Sequence, residues 1–136
     1  WDMLHIRSVD RFAMALRDAV VPALRAAHAT HSQRSRVLWV TSPTLLDERL
    51  HPRKLVAGMT AANVTAYNRR VRAELPAHND CEAVVNGLID FESTTVALVE
   101  AVRNGRMADA QLGAADGIHF GDGVYDAMVA ALLRTL

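Results

Sequence analysis

An α/β layer structure with a parallel sheet is the fold class this sequence predicts, and three observations point to it. Helix-like and strand-like stretches alternate along the 136 residues. The helix-like stretches carry apolar side chains at the 3.6-residue rhythm of an amphipathic helix. The run "RVLWVT" at 36–41 is apolar and β-branched without clean alternation, as a strand buried on both faces of a parallel sheet reads. Alternation of this kind argues for parallel strands joined by crossover helices. Two strands are few for such a sheet. The order therefore reads as the C-terminal half of a doubly wound, three-layer αβα domain whose first half would lie before Trp1.

The elements follow in order. Val9, Phe12, Leu16, Val20 and Leu24 set a helical stripe over residues 8–29, with Ser8 placed to cap it. Pro22 should kink that helix or divide it. After a polar connector and the 36–41 strand comes "SPTLLDERLHPRK", read as a long polar loop and a place for function rather than framework. Thr60 can cap a helix with the stripe Val64, Tyr67, Val71 and Leu75, stopped by Pro76. "CEAVVNGLID" at 81–90 is the second strand-like stretch, interrupted by Asn86 and Gly87. A helix follows from about Ser93 to Asn104, with Gly105 in the C′ position. The last helix starts near Gly121 and sets Val124, Tyr125, Met128, Val129, Leu132 and Leu133 on one face.

Composition narrows the function classes. Lys plus Arg and Asp plus Glu both number 15, and the basic residues are scattered, so no charged field directs the chain to nucleic acid. Cys81 is the only cysteine, which leaves no disulfide within this sequence. No run reaches the length of a membrane span, and no signal-peptide pattern opens the sequence. Asn63-Val64-Thr65 is a glycosylation sequon.

The stretch richest in chemistry is "AADGIHFGDG", 114–123, just before the last helix. A carboxylate at Asp116 can accept a hydrogen bond from one ring nitrogen of His119. That fixes the tautomer and frees the other nitrogen to act as a general base toward a hydroxyl. Gly117 allows the tight turn between them. The bland alternative is an Asp-Gly turn beside a surface histidine. A metal set of Asp116, His119 and Asp122 would put three ligands on one short loop, which rarely closes a site. His28 and His31 are a second, equally weak pairing, and no metal is expected.

"DGIH" before a C-terminal helix resembles the last block of the SGNH (GDSL-type) hydrolases, where Asp and His of a Ser-His-Asp triad share one loop. "VLWVTSP" is similar to the penultimate strand of that family and its loop. "MTAANVTAYNRRV", with Tyr67-Asn68, is similar to the following helix, and "WDML" to the exit from the strand that carries the family's block-three Asn. Together these segments span essentially the whole of 1–136. They are most similar to the catalytic domain of capsule-synthesis and sialic-acid O-acetyltransferases, with plant-type PC-esterases further off.

The resemblance implies a flavodoxin-like three-layer fold and an O-acyl, above all O-acetyl, esterase or transferase. It implies catalytic Asp116 and His119, no cofactor, and a small-molecule or glycan ester as substrate. It also implies a secretory or Golgi-lumen address for a membrane-anchored parent. The family's Gly-Asp-Ser nucleophile motif does not occur in the sequence. Ser42, at a strand end, is followed by Pro43 where a helix-opening turn is needed. The expected nucleophile and oxyanion hole therefore belong upstream. The rival expectation is a non-catalytic α/β module that binds a partner through residues 43–54.

Overall fold

A computed structural model describes residues 8–31, 37–77 and 87–135. Among these the chain is mostly helical, with one small sheet of two parallel strands, a mixed α/β architecture. The helices are α1 (Val9–Ala15), α2 (Val21–His31), α3 (Pro52–Val56), α4 (Ala61–Ala77), α5 (Phe91–Arg103), α6 (Asp109–Leu112) and α7 (Asp122–Thr135). The strands are β1 (Leu38–Val40) and β2 (Gly87–Ile89). The chain divides into two compact units, one drawn from Trp1–Trp39 and Ala66–Leu88, the other from Val40–Thr65 and Ile89–Leu136.

In the first unit Ser8 caps α1 as expected, its Oγ accepting the Arg11 N–H at 3.3 Å. As expected of Pro22, the segment is divided into two α-helices, α1 and α2. The chain takes a π-helical turn over Leu16–Val20, and Val21 donates back to the Leu16 carbonyl before α2 continues. Proline has no N–H to give to the carbonyl four residues earlier, and its ring crowds that carbonyl. A widened turn relieves both conflicts while keeping the helix going. The core of this unit joins Leu16 and Val21 to Val71 and Leu75 of α4, with Phe12 and Trp39 packed against them. Phe12 meets Tyr67 edge-on, with ring centroids 5.1 Å apart. Helix α4 is capped by Thr60, whose Oγ1 accepts the Asn63 N–H at 3.1 Å, and it runs one residue past Pro76.

The second unit carries the larger core: Leu46, Phe91, Val99, Leu112, Ala114, Phe120 and Val124. Three findings here correct the sequence-based expectations. Strand β1 is shorter than the apolar run at 36–41, and it is not buried on both faces, since Val40 is 42% exposed. A strand of three residues offers little surface to be covered on two sides. Residues 81–86 of the expected second strand lie outside the described residues. The 42–54 stretch is largely framework: it holds a 3₁₀ turn at Asp47–Arg49 and the start of α3, and it buries Leu46 and Leu50. Helix α5 begins at Phe91 rather than Ser93, because Asp90 is its cap, accepting the Ser93 N–H at 3.1 Å.

The expected end of α5 holds. Asn104 closes it and Gly105 follows with φ +67°, a conformation glycine adopts at no steric cost. On α7 the apolar face is wider than the part that packs. Val124 is fully buried and Met128 joins the core, while Tyr125, Val129 and Leu133 are exposed.

Candidate functional site

The loop that carries Asp116 and His119 is closed at its base by two glycines. Gly113 and Gly121 approach so nearly that a Cβ on Gly113 would lie 2.6 Å from the Gly121 Cα. The Gly121 N–H donates to the Leu112 carbonyl at 2.9 Å, which locks the crossing. Just inside this pinch, Ala114 and Phe120 are both buried in the core. The residues between them are thus raised from two anchored feet. Such an arrangement holds a short polar segment in one conformation although it projects into solvent.

The tip is organised by Asp116. Its Oδ1 accepts two backbone hydrogen bonds, from Ile118 N–H at 2.9 Å and His119 N–H at 2.8 Å. Its Oδ2 lies 2.7 Å from His119 Nδ1. Gly117, at φ +77°, makes the turn possible, and a side chain there would strike the Leu46 carbonyl at 2.7 Å. The Leu46 N–H in turn donates to the Gly117 carbonyl at 3.0 Å, so the tip rests on the segment that enters the 3₁₀ turn.

Asp116 is held well below the usual carboxylate range. The backbone N–H of His119 is the largest cause, followed by that of Ile118 and then the His119 side chain. Burial plays almost no part, for the carboxyl is exposed. An ionised carboxylate can only accept, so the proton of the Asp116–His119 bond sits on Nδ1. Nε2 is then the nitrogen left with a lone pair, on a side chain 72% exposed. The pair has the orientation and tautomer of a general base with its orienting acid.

The structure brings together the two residues the sequence singled out as catalytic. Asp122 opens α7, and among the described residues no group of three or more His, Cys, Asp and Glu side chains could hold a metal ion. Two serine hydroxyls work at helix N-termini: Ser8 caps α1, and Ser93 donates to Asp90 Oδ2 at 2.8 Å. Ser32 and Ser35 lie outside the described residues. The sequon's side chains are both engaged, Asn63 Nδ2 donating to the Gly58 carbonyl at 2.7 Å and Thr65 Oγ1 to the buried Glu92 at 2.6 Å.

Sequence reading did not find Arg49, whose guanidinium reaches both the Ala114 carbonyl and Asp109. Nor did it find the Gly113–Gly121 pinch. The pinch has a sequence signal after all: two glycines just outside a pair of apolar residues that bracket a polar tip. Compared with protein families, curated proteins and solved structures, the chain finds no match in any of the three.

Proposed function

We propose that this chain supplies the base and the orienting acid of an SGNH-type serine esterase or O-acetyltransferase acting on O-acyl esters of carbohydrate. The observation that carries the reading is the 2.7 Å bond between Asp116 Oδ2 and His119 Nδ1, made by a carboxylate that stays ionised. The mixed α/β architecture and parallel strand pair are compatible with the C-terminal part of a three-layer αβα domain. The resemblance of "DGIH" and its neighbouring segments to that family narrows the chemistry to acyl transfer.

In this reading a serine from outside the sequence attacks the ester carbonyl, and His119 Nε2 takes the hydroxyl proton. The same proton then goes to the departing alkoxide, leaving an acyl-serine. Attack by water completes hydrolysis, and attack by a sugar hydroxyl completes transfer. Asp116 holds the ring and stabilises the imidazolium formed between these steps.

The test is mutation in a form of the protein that contains the serine and turns over substrate. His119→Ala should remove nearly all turnover, and Asp116→Asn should lower it on the order of 10⁴-fold, the loss that a wrong tautomer causes in serine proteases. Both variants should remain folded, because both side chains project from the core. A folded His119→Ala protein working at the wild-type rate would end the catalytic reading.

A further inference from the structure

Arg49 stands outside the loop that carries the pair, at the end of the 3₁₀ turn Asp47–Arg49. Its Nη1 donates to the Ala114 carbonyl at 3.2 Å, and its Nη2 is paired with the Asp109 carboxylate. The side chain is only 27% exposed. Asp109 begins α6, the element that leads into the loop, and Ala114 is the loop's first buried foot. One planar guanidinium therefore grips the lead-in helix and the loop's root together. The Ala114 carbonyl has a second donor: it receives the Gly117 N–H at 3.2 Å. Both of its lone pairs are thereby used, and they connect Arg49 to the peptide that directly follows Asp116.

We propose that Arg49 is a positioning residue for the Asp116–His119 pair. By fixing the Ala114 carbonyl against the 3₁₀ turn, it holds the Gly117 peptide and the turn in which Asp116 binds His119 Nδ1. The importance of that position for turnover rests on the function proposed above, but the effect on the pair itself does not. The contribution to overall stability is small, since the Asp109 end of the ion pair is 58% exposed and such pairs are weak. What matters is the fork. Lysine keeps the charge but offers no planar pair of donors spaced to reach Asp109 and the Ala114 carbonyl together.

The experiment is an NMR titration of the Asp116 carboxyl carbon, with the ring nitrogens of His119 observed in parallel. It compares the 136-residue wild-type chain with Arg49→Lys and Arg49→Met. In both variants Asp116 should titrate higher than in wild type by about one unit or more, toward the ordinary carboxylate value, as the hydrogen bonds to its charged form loosen. The preference for a proton on Nδ1 should weaken with it. Circular dichroism should show both chains folded. A shift in Arg49→Met with none in Arg49→Lys would mean that charge alone acts, and would overturn the proposal. Wild-type titration in both folded variants would overturn it equally. If Arg49→Met does not fold, the Lys variant alone decides. No turnover is measured, so this proposal can fail while the esterase reading stands, and the reverse.

Discussion

The Asp116 carboxylate makes three bonds with two oxygens: two backbone N–H groups on Oδ1 and the His119 ring on Oδ2. All three favour its charged form, which is why an exposed group titrates below the usual range. The sign of the linkage follows. A carboxyl with a lower value folded than unfolded stabilises the fold above the unfolded value, about 3.9, and loses that contribution as pH falls toward the folded value. Urea unfolding of wild type and Asp116→Ala should therefore show a stability gap at about pH 5 that narrows by about pH 3. An unchanged gap between those two conditions would mean the bonds do not bias the charge. At this scale the sequence was readable where contacts are local. A spacing of three residues with a glycine between them put the Asp116–His119 bond within reach, beside the plainer reading of an Asp-Gly turn next to a surface histidine. Arg49 was hidden because its carbonyl partner lies 65 residues away in sequence, a contact that no local pattern encodes.

Elements were legible in kind and less so in extent. Helices with a clear stripe and a capping side chain emerged where Ser8, Thr60 and Gly105 placed them, since caps satisfy orphan backbone groups by local geometry. Helix α5 began early because aspartate caps as well as serine does, and the cap sat inside an apolar run that reads as strand. Asp90 accepts both the N–H and the hydroxyl of Ser93, so Asp90→Ala should cost about 1 kcal/mol. The denaturant midpoint reports it, and a midpoint equal to wild type would show that the cap carries no weight. The length of β1 was overestimated because composition marks a β-prone run but not where its partner ends. Helix α6, four residues long, is too short for periodicity to register at all. The exposed Tyr125, Val129 and Leu133 show the opposite limit: a helical stripe says which side chains share a face, not whether anything packs on it.

At the scale of the molecule, the alternating order of helices and strands was visible in the sequence, while the division into two units with separate cores was not. That division depends on which long-range partners meet, as when Leu46 joins Phe120 and Val124. It also frames what the chain does by itself. On the function proposed above, the second unit presents a base, His119, whose orienting acid, loop and supporting turn are all its own. A base accelerates acyl transfer only through a nucleophile it can deprotonate, and the largest share of the acceleration comes from donors preorganised around the oxyanion. Of the serines, Ser8 and Ser93 are occupied at helix N-termini, and Ser42 precedes Pro43. No serine of the sequence stands in a Gly-Asp-Ser motif. The purified 136-residue chain should accordingly show no hydrolysis of a generic acetyl ester above that of its His119→Ala variant. Any excess over that variant would place a working nucleophile within these residues, and Ser32, Ser35 and Ser42 would be the first to replace with alanine.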